Sequence, residues 1–202
     1  LTEYLSYRSH IWTKTDSDRC GLLPFVYEKS FSFERYVDFL LDVPMYFIIR
    51  NDEYIDLSGI TFREYMKNKF KDFSPTIDDW NIHITTVFPE VRLKSYIELR
   101  GADGGPWSRV CALPAFWTGI LYDESILNQL VELIKSWSFR DVQNFYKDVR
   151  VDGLNSLTPS GDVLLDFANK IIRLSAKGLK NRSIKVNGKG EESFLEPLKK
   201  IL

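Results

Sequence analysis

Several stretches of the chain repeat apolar residues with the 3.6-residue period of an α-helix. Residues 33–41 carry one such stripe, preceded by Ser32, whose hydroxyl can cap a helix N-terminus. Residues 124–137 form a longer amphipathic pattern, and Ser138 precedes another helical stretch that reaches about Val149. These patterns predict helices that pack one apolar face against the core of the protein.

Residues that favour helix ends place further helices. Thr61 and Glu64 form a capping box, which predicts a helix from there to about Phe70. Thr76 is expected to cap a short helix that runs through Trp80.

The second half of the chain adds two more helices and a polar tail. Residues 114–122 are almost wholly apolar and predict a buried helix. Residues 163–174 carry a helical stripe, and Gly178 is expected to end that helix. Residues 181–190 are polar and predicted to be mobile, and residues 191–202 are compatible with a last short helix. The overall pattern is α+β, rich in helix.

Other stretches favour extended structure. Residues 4–12 are compatible with a strand, residues 45–50 predict a buried strand, and residues 83–88 are rich in β-branched side chains. Residues 96–103 alternate, so on a strand Glu98 and Arg100 share one face while Ile97 and Leu99 share the other.

Composition excludes several classes of protein. Of 202 residues, 44% are hydrophobic, which is enough to build a core. Lys plus Arg number 27 and Asp plus Glu number 28, so no basic surplus indicates a nucleic-acid partner. No signal peptide is visible, and no apolar run has the length of a membrane span. Two cysteines do not make a disulfide framework, so we expect a cytoplasmic protein.

The strongest candidate for chemistry is the pair Glu98 and Arg100. A carboxylate and a guanidinium two residues apart on a strand can address a metal ion and a phosphate side by side. Gly101 follows directly, and it allows the backbone to approach a ligand closely. The alternative interpretation is a cross-strand ion pair on a half-exposed sheet face.

A polar cluster near the start of the chain, together with His83, offers a second set of candidates. The cluster comprises Arg8, His10, Trp12, Asp16 and Arg19. On the predicted strand, Arg8, His10 and Trp12 share one face, and Arg8 could hold a carboxylate through paired hydrogen bonds. The alternative is a solvated strand with a structural histidine. His83 lies between apolar residues and is more typical of a hydrogen-bonded core residue than of a ligand. Phosphate-binding glycine loops are missing from the sequence, so phosphate chemistry would use side chains and metals.

Five ordered segments of the chain resemble the plant-type glutamate–cysteine ligases, a family also found in bacteria. The resemblance covers residues 4–182 and weakens from Ser183 on. The segments that carry it are Arg8-Ser9-His10-Ile11-Trp12, Gly21-Leu22-Leu23-Pro24-Phe25, Leu41-Asp42-Val43-Pro44-Met45-Tyr46-Phe47, residues 80–122, and residues 152–162.

The resemblance implies a partial glutamine-synthetase-like carboxylate–amine ligase fold, with antiparallel strands and many helices. It implies that ATP phosphorylates the γ-carboxyl of glutamate and that the amine of cysteine then attacks the acyl phosphate, the first step of glutathione synthesis. The cofactors are then ATP and Mg²⁺, and the substrates are glutamate and cysteine.

The family's functional residues transfer to matching positions of this chain. The resemblance implies that Glu98 binds magnesium, that Arg100 stabilises the transferring phosphoryl group, and that Arg8 holds the glutamate carboxylate. It places Tyr46 in the cysteine pocket. The other substrate-binding candidates by motif match are Trp12, His10, His83 and Thr85.

Family members are longer than this chain. We therefore expect residues 1–182 to be the C-terminal part of the catalytic domain, with 183–202 a polar linker and short C-terminal helix. The N-terminal half of the same enzyme, with further magnesium carboxylates, is the expected partner. Two alternatives stay open: a catalytically inactive truncated remnant, and a related carboxylate–amine ligase with a different amine acceptor. The sequence leaves the oligomeric state unknown.

Overall fold

The computed structural model describes residues 3–68, 70 and 72–202, and the chain divides into two compact units. One unit comprises residues 10–102, and the other joins the segment up to Ser9 with residues 103–202. Both units mix helices with short strands, which confirms the α+β class predicted from the sequence. Within the described residues, no helix combines the length and apolarity that crossing a bilayer requires.

The strand predicted over residues 4–12 is wrong, because this segment forms helix α1 (Tyr7–Trp12). Ser6 Oγ accepts a hydrogen bond from the backbone N–H of Ser9 (3.4 Å) and thereby caps the first turn. Helical geometry places Arg8 and Trp12, four residues apart, on one face. His10 points away from them, so the predicted common face of the three side chains does not exist.

In the unit of residues 10–102, short strands alternate with helices. The elements are β1 (Cys20–Gly21), α2 (Phe33–Asp42), β2 (Phe47–Arg50), β3 (Glu53–Asp56), α3 (Phe62–Lys67), α4 (Ile77–Thr85), β4 (Phe88–Pro89), β5 (Val91–Leu93) and β6 (Ile97–Leu99). Strands β2 and β3 form an antiparallel hairpin, as do β5 and β6. The expectation of antiparallel strands fails for β1 and β4, which pair in parallel.

Local capping signals fix the helices of this unit. Ser32 caps α2 as predicted, and Thr61 and Thr76 form capping boxes at the starts of α3 and α4. Helix α4 continues to Thr85, so the extended segment predicted from residue 83 is wrong at its start. The β-branched side chains there are accommodated in the helix because one side of it packs in the core.

The core of this unit consists of two apolar clusters. One lies around α2 and contains the buried residues Leu23, Phe25, Tyr36, Leu40, Val43 and Val87. The other lies under the β2–β3 hairpin and contains Met45, Ile48, Leu57, Phe62 and Tyr65. Trp80 on α4 packs against both clusters, so α4 joins them into one core. The buried strand predicted over residues 45–50 is confirmed in β2.

The other unit is mainly helical. Its elements are α5 (Trp107–Leu121), α6 (Glu124–Ile134), α7 (Phe139–Asp152), α8 (Leu164–Arg182), β7 (Lys185–Val186), β8 (Lys189–Gly190) and α9 (Glu196–Lys199). Ser138 caps α7 as predicted. Strands β7 and β8 form a hairpin whose turn residues, Asn187 and Gly188, both have positive φ. The sequence predicted a mobile segment here. Leu195 beyond the hairpin is fully buried, so the tail packs on this unit.

Helices α5 and α8 approach each other with backbone against backbone. A Cβ atom added to Gly178 on α8 would lie 1.8 Å from the carbonyl oxygen of Gly119 on α5. Ser175 Oγ, one turn earlier, donates a hydrogen bond to the Phe116 carbonyl (2.8 Å). The prediction that Gly178 ends α8 is wrong, since this glycine lies inside the helix and permits the close contact.

Candidate active site

The β5–β6 hairpin brings together three charged residues that contact one another. In its register, Arg92 on β5 lies directly opposite Glu98 on β6. Arg100 follows β6 by one residue, and its backbone N–H donates to the Glu90 carbonyl (2.9 Å), which keeps it in line with the hairpin. Cross-strand neighbours on one face of an antiparallel pair are within reach of a direct ion pair. The hairpin therefore places three charged side chains on one face.

Both oxygens of the Glu98 carboxylate accept hydrogen bonds from guanidinium groups. Oε2 accepts from Nε (2.9 Å) and Nη2 (2.6 Å) of Arg92, and Oε1 accepts from Nη1 of Arg100 (2.7 Å). The bonds from Arg92, followed by those from Arg100, hold the pKa of Glu98 below its usual value against the opposing effect of burial. The carboxylate is therefore ionised at neutral pH and links the two cations.

The guanidinium of Arg100 lies among aromatic rings. Its Cζ is 5.3 Å from the ring centroid of Phe88 and 6.0 Å from that of Trp12. Such positions over aromatic faces stabilise a cation and limit its orientations. The side chain is 21% exposed, so solvent reaches it. The sequence prediction that Glu98 and Arg100 share a face is confirmed, and Trp12 joins them.

Arg92 is the residue of this cluster that the sequence prediction missed. It is 8% exposed, and its Nη1 also donates to the carbonyls of Thr85 (2.8 Å) and Val87 (3.2 Å). A signal was present in the sequence, since an arginine between Val91 and Leu93 breaks an apolar strand. A buried arginine requires acceptors for its donors, and only the hairpin register identifies Glu98 as one.

A second buried arginine supports Tyr46. The guanidinium of Arg19 lies 3.5 Å from the Tyr46 ring centroid and donates to the Pro44 carbonyl (2.6 Å) and to Asp16 (2.8 Å). Arg19 is 2% exposed, whereas Tyr46 is 39% exposed. The Tyr46 ring is thus held at the surface by a buried cation, with one part open to a ligand. The sequence pointed to both residues separately, Tyr46 for the cysteine pocket and Arg19 in a polar cluster, but it did not predict that Arg19 contacts Tyr46.

Thr85 and His10 occupy helix ends. Thr85 is the last residue of α4; its hydroxyl donates to the Ile82 carbonyl (2.6 Å), and its own carbonyl accepts the bond from Arg92. Through that carbonyl it contacts the hairpin cluster, although its hydroxyl is engaged within its own helix. His10 lies in the last turn of α1, and its carbonyl accepts from the Thr13 backbone N–H (3.1 Å).

His83 lies in the core. It is 2% exposed, its Nε2 is 2.8 Å from the Leu40 carbonyl, and its ring stacks on Phe62 with centroids 5.3 Å apart. Because a carbonyl only accepts, Nε2 carries the proton. Nδ1 is buried and has no hydrogen-bond partner among the described residues. Burial therefore lowers the pKa of His83, partly opposed by the bond to Leu40, and this environment favours a structural role.

The lowered pKa predicts a dependence of stability on pH. A histidine whose folded-state pKa lies below its unfolded value of about 6.5 binds its proton more readily in the unfolded chain. The free energy of unfolding should therefore fall as the pH drops below about 6.5, by at most about 1.4 kcal/mol per pH unit. Urea unfolding between pH 8 and pH 5.5 measures this slope. His83→Gln should flatten this slope, and a slope equal to that of the wild type in His83→Gln would contradict the assignment.

Arg8 belongs to the other unit. There it lines a groove of about 740 Å³ together with Ser6, Asp103, Arg109 and Asn155. The Ser6 hydroxyl donates to the Asp103 carboxylate (3.1 Å), which fixes one wall of the groove. Both signs of charge line it, and this combination suits a zwitterionic ligand such as an amino acid. Arg8 and the Glu98 cluster thus lie in different units of the chain.

The contacts of Glu98 leave one of its oxygens with an unused lone pair. Oε2 accepts two hydrogen bonds, but Oε1 accepts one and keeps a second lone pair. Magnesium in nucleotide sites often takes one or two carboxylates and completes its shell with phosphates and water. Across residues 3–68, 70 and 72–202, no group of three His, Cys, Asp or Glu side chains is placed to hold a metal. Glu98 therefore fits one ligand position and does not form a complete site.

Comparison with curated proteins gives named relatives. The chain is 52% identical over 188 residues to glutamate–cysteine ligase A, chloroplastic, of Oryza sativa subsp. indica. The aligned region covers 92% of this chain and 38% of the relative. It is 51% identical over 189 residues to the chloroplastic glutamate–cysteine ligase of Medicago truncatula, with 92% of this chain and 37% of the relative aligned. It is 50% identical over 189 residues to that of Arabidopsis thaliana, with 92% of this chain and 36% of the relative aligned. The chain thus spans little more than a third of the length of these relatives.

The names of the relatives correct one expectation. We expected a cytoplasmic protein from the low cysteine content, but these relatives are all named chloroplastic. The expectation was wrong because a reducing environment is not specific to one compartment. The family model of glutamate–cysteine ligase family 2 matches residues 1–202. The resemblance seen in the sequence motifs is thereby confirmed, and the chain belongs to glutamate–cysteine ligase family 2.

Proposed function

We propose that the protein joins the γ-carboxyl of glutamate to the amine of cysteine in an ATP-dependent reaction, within a plastid. The relatives named glutamate–cysteine ligase support the reaction and the compartment. Because the chain spans only part of those relatives, the activity is proposed for the full-length gene product. A glutamine-synthetase-like fold for the whole enzyme is part of this proposal.

The proposed reaction has two steps. A γ-carboxylate oxygen of glutamate attacks the terminal phosphorus of ATP, and ADP leaves. The cysteine amine then attacks the acyl carbon, the bond to the phosphate oxygen breaks, and the amine loses a proton. Both steps move negative charge onto phosphoryl oxygens, so a fixed cation beside them lowers the barrier.

Arg100 is the cation that best meets this requirement, and its fixed position is the observation that carries the proposal. Glu98 bonds one edge of its guanidinium, and the rings of Phe88 and Trp12 flank it, while 21% of the side chain is open to solvent. A guanidinium that is oriented before the ligand arrives needs little reorganisation during the reaction. Glu98 Oε1 would supply one oxygen to Mg²⁺, which when bound neutralises phosphate charge.

Substrate binding is assigned to the remaining candidates. Arg8 would hold the glutamate carboxylate in its groove, and the exposed part of the Tyr46 ring would line the cysteine pocket. His10, Trp12 and Thr85 are proposed to contact substrate from their helix ends. The core position of His83 supports a role in stability, so any effect of His83 on substrate binding would pass through the fold.

The proposal is tested by assaying the full-length gene product with ATP, Mg²⁺, glutamate and a panel of amines. We expect γ-glutamylcysteine, ADP and phosphate to form in equal amounts. Turnover with another amine and none with cysteine would overturn the substrate assignment and support the related ligase. Absence of ATP consumption with every amine would support the inactive remnant.

Arg8→Ala should mainly raise the glutamate requirement. A charged hydrogen-bond pair to a carboxylate is lost, so we expect the KM for glutamate to rise by about tenfold to a hundredfold with little change in kcat. Steady-state kinetics with varied glutamate measure both constants. Arg140→Ala, which removes an exposed arginine from α7 of the same unit, should leave the KM unchanged. An unchanged glutamate KM in Arg8→Ala would refute the role.

A further inference from the structure

We propose that Arg92 is a positioning residue for the ligation reaction. Arg92 fixes the Glu98 carboxylate and, through that carboxylate, the guanidinium of Arg100. The inference rests on the proposed function, because that function places Arg100 beside the transferring phosphoryl group. Arg92 itself is not expected to touch substrate, since it is 8% exposed.

The contacts of Arg92 leave its guanidinium little freedom. Nε and Nη2 form a fork on Glu98 Oε2 at 2.9 and 2.6 Å. Nη1 donates to the backbone carbonyls of Thr85 and Val87, at the end of α4 and just before β4. Carbonyls at the end of a helix carry partial negative charge and are otherwise unsatisfied. Arg92 therefore links backbone carbonyls on one side to the carboxylate of Glu98 on the other.

Glu98 transmits this anchoring to Arg100. With Oε2 held by the fork, Oε1 has a fixed direction and accepts Nη1 of Arg100 at 2.7 Å. Both guanidiniums lie near the Phe88 ring, with Cζ atoms 5.6 and 5.3 Å from its centroid. Two cations in such a small region repel each other, and the carboxylate between them offsets this repulsion by attracting both. The location of Glu98 therefore decides where Arg100 can lie.

A misplaced Arg100 would affect the reaction more than it affects binding. Displacement of a catalytic group by about 1 Å can cost about a hundredfold in rate. The backbone would still hold Glu98 and Arg100 in the hairpin, so substrates would bind at nearly the same concentrations. A purely structural role of Arg92 predicts something else: a loss of stability, and an effect on rate that does not depend on the residue at position 100.

The test is a double-mutant cycle in the full-length gene product, with γ-glutamylcysteine formation as the readout. We expect Arg92→Met to lower kcat about a hundredfold while the KM values for glutamate and cysteine change by less than about threefold. Arg92→Lys should recover part of kcat, because its ammonium can still donate to Glu98. In an Arg100→Ala background, which has no cation left to position, Arg92→Met should have a much smaller further effect on kcat.

Arg50 provides the matched control. Like Arg92, Arg50 forms two hydrogen bonds to one carboxylate, here that of the buried Asp79 at 2.6 and 2.7 Å. Arg50→Met should lower the urea midpoint, and its effect on kcat should be the same with Arg or Ala at position 100. If Arg92→Met behaves in that way, the positioning role is overturned. Should Arg92→Met not fold, Arg92→Lys replaces it in the cycle, with the same two outcomes.

The cycle separates failure of the inference from failure of the proposed function. A wild-type protein that makes γ-glutamylcysteine, together with an Arg100 variant that does not, supports the function whatever Arg92 does. Equal effects of Arg92→Met in both backgrounds then overturn only the positioning role. Normal turnover of Arg100 variants overturns the role of Arg100, and with it the inference.

Discussion

Arg100→Ala is expected to lower kcat of the full-length protein by about a thousandfold while the fold is retained. The expectation follows from the loss of a preorganised cation at the transferring phosphoryl group, an effect of about 10²–10³ for comparable hydrogen-bond donors. The fold should survive, because Arg100 lies past the end of β6 and Glu98 keeps its two bonds to Arg92. Measurement of kcat alongside far-UV circular dichroism and urea unfolding checks both parts.

Arg63→Ala is the control for this change. Arg63 is also an ion-paired arginine of the unit of residues 10–102, but its partners Asp38 and Asp42 are exposed on α2. An exposed pair contributes little to stability, up to about 1 kcal/mol. Turnover of Arg63→Ala should equal that of the wild type. If Arg100→Ala also kept near-normal turnover, Arg100 would have no place in the mechanism.

Gly178→Ala is expected to destabilise the fold strongly, although it adds only one methyl group. The added Cβ would lie 1.8 Å from the Gly119 carbonyl oxygen, which is backbone and cannot rotate away. Helices α5 and α8 would have to separate, and the hydrogen bond from Ser175 to Phe116 would lengthen. We expect a cost of about 3 kcal/mol or more. Helix propensity alone predicts the opposite sign, a gain of about 1 kcal/mol.

Urea unfolding of the full-length protein measures the effect. Gly104→Ala in the same unit is the control, because a Cβ there meets no atom within 4 Å and its φ is not in the left-handed region. Its midpoint should stay near that of the wild type. A wild-type midpoint in Gly178→Ala would show that the α5–α8 contact can relax without loss, contrary to the prediction.

Structural features that depend on a few neighbouring residues were predicted correctly. The caps at Ser32, Thr61, Thr76 and Ser138 all form, and each begins the helix that the sequence placed there. A cap succeeds because its donor and acceptor are three residues apart and need no partner from elsewhere. The cap at Ser6 is equally local, but the alternating side chains that follow it favoured a strand, and the prediction for residues 4–12 failed.

Predictions that depended on distant residues failed or remained incomplete. Gly178 looked like a helix end, since glycine commonly follows one, and only the presence of α5 explains a glycine inside α8. The common face of Glu98 and Arg100 was predicted from alternation alone. The ion pair between Arg92 and Glu98 was not predicted, because it depends on the register of the β5–β6 hairpin. The substrate roles of the six candidates stay predictions: Arg8, His10, Trp12, Tyr46, His83 and Thr85.

The sequence by itself determined the family, the positions of the capped helices, and the shared face of Glu98 and Arg100. These depend on residue identity and on spacing along the chain, and both can be read without coordinates. Only the tertiary structure decided that Arg92 and Arg100 share one carboxylate, that His83 is buried and neutral, and that α5 and α8 touch through glycine. The physical reason is that burial and pairing depend on which distant segments of the chain pack together. That packing results from the sum of many weak contacts across the whole fold.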